Sequence, residues 1–199
     1  ALKAPNLAGW SYLRDGFGQV LQETSSEMGG STPGAPTPIK QTFDAAGNLV
    51  SRVDSRGVTE TRQYDALNRL TAIGYSGSGV DTSLNQSWRW DTSTAGTSPS
   101  CSNGLGRLCQ VTHALGVTSY AYDAFGNVTG QSQQHANLGS NTTAQWVYDA
   151  EDRLSASQGA SNKAVALQRD AEGRASVVQA TVNGSITPVV TATTYQVGT

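Results

Sequence analysis

The chain has 199 residues, carries a net charge of −2 at pH 7 and has 14% charged residues, well below the roughly 25% of typical soluble proteins. It contains no run of Lys and Arg, which argues against nucleic-acid binding, and no apolar stretch long enough to span a bilayer. Its 22 glycines and many Ser and Thr residues are typical of short strands joined by turns rather than of helices.

A seven-residue pattern recurs along the chain, consisting of an aromatic residue, Asp, two variable residues, a turn residue, a polar residue and an aliphatic residue. The clearest copies are Tyr64–Leu70, Tyr122–Val128 and Tyr148–Leu154. Weaker copies occupy residues 14–20, 43–49 and 169–175. The most degraded copy is 102–108, in which Asn103 stands in the place of the Asp. Such regular recurrence predicts a repeat protein.

Each position of the pattern predicts a role in a β-hairpin. The fourth position after the aromatic residue favours residues that tolerate positive φ, and the leading Asp can accept hydrogen bonds from nearby backbone N–H groups in an Asx-turn. The flanking aromatic and aliphatic residues are expected to pair across the hairpin. The aromatic residues are Phe43, Tyr64, Tyr122 and Tyr148; the Asp residues are Asp15, Asp44, Asp65, Asp123, Asp149 and Asp170; the turn residues are Gly18, Gly47, Asn68, Gly106, Gly126, Asp152 and Gly173.

The segments between the copies are predicted to contain loop-rich insertions at about 24–38, 74–100, 130–143 and 155–163. Pro33, Pro36 and Pro38 lie in the first insertion and would interrupt a strand ladder. A further turn is predicted at residues 54–57. Trp88 and Trp90 are two residues apart, so on a strand they would share one face, either as packing or as a ligand platform.

The two cysteines, Cys101 and Cys109, lie symmetrically about Leu105 of the degraded copy. If that copy is a hairpin, a disulfide between the two strands is geometrically possible; two reduced, half-buried thiols are the alternative. Neither cysteine nor His113 or His135 lies in a metal-ligand spacing. No catalytic, cofactor-binding or metal-binding residue is predicted, and we expect no enzymatic activity.

The repeated Tyr-Asp register resembles the YD repeat of the RHS family, which includes bacterial Rhs polymorphic toxins, the shell proteins of insecticidal toxin complexes and the teneurins. The resemblance implies an all-β fold in which residues 1–199 form one segment of a long sheet winding into a hollow shell. Because repeats run almost to both ends and no initiating Met is present, we expect the sequence to be a piece of a longer chain.

The resemblance implies a structural function, namely part of a shell that encloses a C-terminal toxic cargo in an exported bacterial protein. The partners would be the remaining RHS repeats, the enclosed cargo and components of a secretion system. The alternative is a module that binds carbohydrate or a cell surface, with Trp88, Trp90 and Trp146 as candidate stacking platforms.

Overall fold

The computed structural model describes residues 9–25, 37–160, 163–191 and 193. Fifteen strands lie in this part of the chain, and their order in the sheet follows their order in the sequence. The predicted all-β fold class is confirmed. The strands are β1 Trp10–Arg14, β2 Val20–Ser25, β3 Ile39–Phe43, β4 Leu49–Val53, β5 Thr59–Tyr64, β6 Leu70–Ser76, β7 Gln86–Trp90, β8 Leu108–His113, β9 Gly116–Tyr122, β10 Val128–His135, β11 Asn141–Tyr148, β12 Leu154–Gln158, β13 Lys163–Arg169, β14 Ala175–Val182 and β15 Ser185–Val190.

The chain divides into two units, residues 1–88 and 89–199. In the first unit, consecutive strands from β1 to β7 pair antiparallel, and a short 3-10 helix at Thr82–Leu84 connects β6 to β7. In the second unit, consecutive strands from β8 to β15 also pair antiparallel. In such a meander, successive turns lie alternately at the two ends of the strands. The recurrent turns of a unit fall at the same end and therefore form a row.

The residues that flank each recurrent turn pair across the hairpin. Phe43 faces Leu49, Tyr64 faces Leu70, and the register shifts by one residue beside each pair. The same shift occurs at the recurrent turns of the second unit, where β9, β11 and β13 each meet the following strand. One extra residue with positive φ beside a tight turn is the geometry of a G1 bulge.

In the part of the chain that the structure describes, neither unit folds around an apolar core. The buried apolar side chains there are Cys109 and Ala121, whereas Ser25, Gln110, Thr118, Ser119 and Ser132 are buried and polar. Large apolar side chains such as Phe17 and Phe125 are 95% and 80% exposed. The strands are therefore held together by their backbone ladders and turns more than by burial of apolar area.

The structure corrects the predicted insertions. Residues 130–143 are not a loop, because β10 and β11 pair across most of them, from Gly130↔Gln145 to Gln134↔Asn141. Their Gln and Ser residues suggested a loop, yet polar side chains are compatible with a strand that faces solvent. β6 and β7 occupy part of 74–100, and β12 and β13 occupy most of 155–163. In the first insertion β2 extends to Ser25, whereas residues 26–36, with Pro33 and Pro36, and residues 161–162 lie outside the described residues.

Candidate functional site

The recurrent turns share one hydrogen-bond pattern, which is clear at Asp123. The N–H of Asp123 donates to the carbonyl of Asn127 at 3.0 Å, and the N–H of Gly126 donates to the carbonyl of Asp123 at 3.2 Å. Oδ1 of Asp123 accepts from the backbone N–H groups of Phe125 and Asn127, each at 2.9 Å. The same carboxylate contacts, to the second and fourth residues on, occur at Asp15, Asp44, Asp54, Asp65, Asp149 and Asp170.

The turn residue has positive φ in every recurrent turn. The values range from 60° at Asn68 to 101° at Gly126 and include Gly18, Gly47, Gly106, Asp152 and Gly173. Gly57, in the additional predicted turn, has φ 84°. Gly126 has a second constraint, because a Cβ there would lie 2.6 Å from Nη2 of Arg107.

The polar residue after the turn residue folds back onto the Asp. Arg69 donates from Nε to Oδ2 of Asp65 at 2.7 Å, and Asn127 donates from Nδ2 to Oδ2 of Asp123 at 3.0 Å. Asn48, Arg153 and Arg174 make the equivalent contact. In these five turns the Asp is therefore bonded at both oxygens, one by backbone and one by a side chain.

These hydrogen bonds lower the pKa of the turn carboxyls because they favour the charged form. The Asn127 side chain is the main cause of the lowered pKa of Asp123, and Asn48 has the same effect on the pKa of Asp44. For Asp65 the main cause is the N–H of Arg69. At Asp149 and Asp170 burial is the largest influence and would raise the pKa, but the backbone and side-chain hydrogen bonds of the following Arg together lower it.

Five of the polar side chains that follow a turn residue also reach the next turn of the row within their unit, an arrangement that we call the turn ladder. In the first unit, Gln19 donates to the carbonyl of Gly47 at 3.3 Å and Asn48 donates to Oδ1 of Asn68 at 2.9 Å. In the second unit, the contacts are Arg107 against Gly126, Asn127 with Asp152, and Arg153 against Gly173. The pattern did not predict this ladder, since it depends on how successive hairpins align.

The tyrosines also connect successive hairpins. Tyr64 donates from Oη to the carbonyl of Leu49 at 3.0 Å, and Tyr148 donates to the carbonyl of Val128 at 3.3 Å. Tyr122 makes the same contact with Leu108. In the last copy Arg169 stands in the place of the tyrosine, and its Nη2 donates to the carbonyl of Leu154 at 2.9 Å. Arg169 therefore substitutes for the tyrosine chemically, although the sequence pattern marks that copy as degraded.

The degraded copy is built differently from the prediction. Asn103 does not take the place of the Asp; its Nδ2 donates to the carbonyl of Tyr122 at 2.9 Å. The turn is closed instead by Asp91, whose N–H donates to the carbonyl of Arg107 at 3.0 Å and whose Oδ1 accepts from the N–H of Gly106 at 2.6 Å. Trp90-Asp91 is thus the aromatic-Asp pair, separated from Gly104 by residues 92–103, which we call the inserted segment.

Cys101 and Cys109 form a disulfide with a Cα–Cα distance of 5.4 Å. The predicted cross-strand arrangement is wrong, because Cys101 lies in the inserted segment whereas Cys109 lies on β8. A Cβ at Gly104 would lie 2.4–2.7 Å from both sulfurs and from the carbonyl oxygen of Asp91. The glycine therefore permits the disulfide to pack against the turn.

Two grooves lie beside the rows of turns. One, of about 400 Å³, lies in the first unit between the turns at Asp15 and Asp44; the other, of about 450 Å³, lies in the second unit between those at Asp123 and Asp149. Neither groove is lined by a described His or Cys. Across the described residues, no group of three or more His, Cys, Asp or Glu side chains is placed to hold a metal ion. In the same part of the chain, no helix is long and apolar enough to cross a membrane.

The side chains that could serve as stacking platforms are only partly accessible. Trp88, Trp90 and Trp146 are each half-buried on their strands. In the first unit, Trp10 and Tyr12 on β1 are about half exposed and stack with ring centroids 6.4 Å apart.

Comparison with known proteins supports a single family. The RHS repeat matches residues 43–80 and 103–133. No curated protein matches the chain in sequence. Among solved structures, the crystal structure of TcdB2-TccC3 matches with a TM-score of 0.64 and 20% identity over 94% of this chain and 10% of that chain. The Tc holotoxin pore of Photorhabdus luminescens matches with a TM-score of 0.63 and 21% identity over 94% of this chain and 9% of the other.

The present chain spans about a tenth of the length of these relatives. At this level of identity the likeness shows the fold, and the fold is that of a segment of the toxin-complex structures. The RHS repeat matches two separate stretches of recurrent turns, which together cover less than half of the chain, so these two stretches are similar to RHS repeats.

Proposed function

We propose that this chain is a wall segment of an Rhs-type shell that encloses a C-terminal toxic cargo and separates it from its targets until delivery. The observation that carries the proposal is the lack of an apolar core in a regular sheet. Among the described residues, only Cys109 and Ala121 are buried apolar side chains, whereas a self-contained domain usually packs its sheet against another layer.

The turns support a structural role for the recurrent residues. Asp15, Asp44, Asp65, Asp123, Asp149 and Asp170 would fix the turns, the positive-φ residues would supply the required backbone, and Tyr64, Tyr122 and Tyr148 would connect one hairpin to the next. These contacts join neighbours only, so a sheet of this kind can be extended hairpin by hairpin.

On this proposal the chain has no catalytic role, and its partners are the other repeats of the parent chain, the cargo and a secretion system. The parent protein would be exported from a bacterial cell. The alternative, a module that binds carbohydrate or a cell surface, has less support, because Trp88, Trp90 and Trp146 are half-buried and a stacking platform needs an open ring face.

The test is cargo protection in the full parent protein. Protease would be added to the parent protein carrying Gly126→Val together with Gly173→Val, and to a control carrying Gly159→Ala. We expect the C-terminal region to be cleaved faster in the double variant and to stay protected in the control. Equal protection in a double variant whose wall is measurably destabilised would contradict enclosure by this segment.

A further inference from the structure

The inserted segment lies over strands β8, β9 and β10 and is held there by polar contacts. Thr94 donates from Oγ1 to Oε1 of Gln110 at 2.8 Å, and Ser132 donates from Oγ to the carbonyl of Ser98 at 2.7 Å. Pro99 packs closely against Gly130, where an added Cβ would come within 3.3 Å of the proline ring. The segment therefore forms a local cover over part of the second unit.

The covered side chains are unusual for a permanent interior because they are polar. Gln110, Ser119 and Ser132 are register partners across the three strands and are 3–5% exposed. Gln110 donates from Nε2 to Oγ of Ser119 at 3.3 Å. Polar groups that lose a cover regain hydrogen bonds from water, so these three side chains can be exposed at little cost.

One covalent bond ties this cover to the sheet. Cys101 belongs to the inserted segment and is half-buried, whereas Cys109 on β8 is fully buried. We propose that the Cys101–Cys109 disulfide is a redox-sensitive latch, which holds the inserted segment over Gln110, Ser119 and Ser132 when oxidised and releases it when reduced. The strand ladder of β8–β10 stays paired in both states. This inference does not depend on the shell function.

The chemistry is thiol–disulfide exchange with a dithiol reductant. A thiolate of the reductant attacks Sγ of Cys101, the less buried of the two cysteines; the bond to Cys109 breaks, and Cys109 leaves as a thiolate that takes up a proton. The second thiol of the reductant then displaces Cys101 as a thiol and closes the reductant's own disulfide. Two electrons and two protons pass to the protein, as expected on moving from an oxidising to a reducing compartment.

The test is hydrogen exchange on the whole chain before and after incubation with dithiothreitol, with free thiols counted. The chain contains only these two cysteines, so the reductant has one target. We expect amides of the inserted segment to exchange about tenfold faster or more after reduction, as in a local opening. Amides of β9, β10, β13 and β14 should keep their protection.

A Cys101→Ser, Cys109→Ser double variant separates the latch from side effects of the reductant. It should show the fast exchange of the inserted segment without reductant and no further change with it. The proposal is overturned if the disulfide resists reduction in the folded chain, if complete reduction leaves exchange unchanged, or if β9 and β10 lose protection together with the segment.

Discussion

At the residue scale, Gly126 is a turn position with two constraints. Its φ of 101° disfavours side chains, and Arg107 occupies the space that a Cβ would need. We predict that Gly126→Val destabilises the chain by about 1–2 kcal/mol, measured as the shift in a denaturant midpoint.

The control for this prediction is Gly159→Ala. Gly159 follows β12 in the second unit, a methyl group added there would meet no atom of the described residues within 4 Å, and its φ is not positive. The free energy of unfolding of this variant should stay within about 0.5 kcal/mol of wild type. Equal effects of the two substitutions would show that positive φ is not what the turn requires.

A second residue-scale prediction concerns acid. The folded-state pKa of Asp123 is lowered from its ordinary value of 3.8, chiefly by the Asn127 side chain. The stability it contributes is therefore complete above pH 3.8 and is lost as the pH falls through the lower folded-state pKa. We predict that Asp123→Asn is less stable than wild type at pH 7 and that the difference shrinks below about pH 4.

The measurement is a series of denaturant midpoints from about pH 7 down to about pH 2.5 for both proteins, with Gly159→Ala as the uncharged reference. A difference between wild type and Asp123→Asn that is constant over this range would contradict a contribution from the charged carboxylate.

At the element scale, either tyrosine or arginine can donate the hydrogen bond from one hairpin to a backbone carbonyl of the preceding hairpin. Arg169 and Tyr148 make the same contact to the residue after the preceding turn. We predict that Arg169→Tyr keeps most of the stability, whereas Arg169→Leu loses about 1–3 kcal/mol because the acceptor carbonyls lose a charged donor.

Thermal unfolding of the two Arg169 variants beside wild type distinguishes these outcomes. Tyr148→Phe is the matched control, because it removes the corresponding hydrogen bond where the repeat has a tyrosine. If Arg169→Tyr proves as unstable as Arg169→Leu, the two residues are not equivalent in the repeat.

The sequence predicted the turns well because their chemistry is local. Asp44 and Gly47 lie within one hairpin, and the reasons for their identities lie within a few residues of chain. The turn ladder was missed because Asn48 and Asn68 meet only after β4, β5 and β6 have paired. Asp91 was missed because residues 92–103 separate it from Gly104, although Trp90-Asp91 repeats the aromatic-Asp signal of Tyr64-Asp65.

The polar strands β10 and β11 were mistaken for an insertion for a different reason. A strand is usually recognised by apolar side chains on the face that packs on a core, and these strands have few. In a sheet with little apolar burial, the position of a strand is decided by its backbone hydrogen bonds. These bonds place few requirements on the side chains, so the sequence of such a strand has no clear pattern.

At the scale of the whole molecule, the stability of the fold is the sum of the contacts that each hairpin makes with the adjacent hairpins. Within each unit, successive hairpins are joined by their backbone ladders and, in several cases, by a tyrosine, an arginine or a turn side chain, as in other repeat proteins. Exposed apolar residues recur at the turn tips, including Phe17, Leu67, Leu105 and Phe125. A segment of this kind offers both strand edges and apolar tips to other chains.

We therefore predict that residues 1–199 alone self-associate, whereas a longer piece of the parent chain with its native flanking repeats is monodisperse. Size-exclusion chromatography with light scattering on both proteins is the measurement. A stable monomer from the 199-residue chain would contradict the wall proposal and favour an independent binding domain.

The turn closed by Asp91 and Arg107 carries a consequence for engineering. Its base keeps one hydrogen bond of an uninterrupted turn, from the Asp91 N–H to the carbonyl of Arg107, although residues 92–103 are inserted between the Asp and the Gly. A turn of this kind tolerates inserted residues while the strands on either side stay paired. Peptide epitopes or tags grafted between Asp44 and Gly47, or between Asp123 and Gly126, should be displayed in the same way, so that the sheet becomes a scaffold with a grafting position at each recurrent turn.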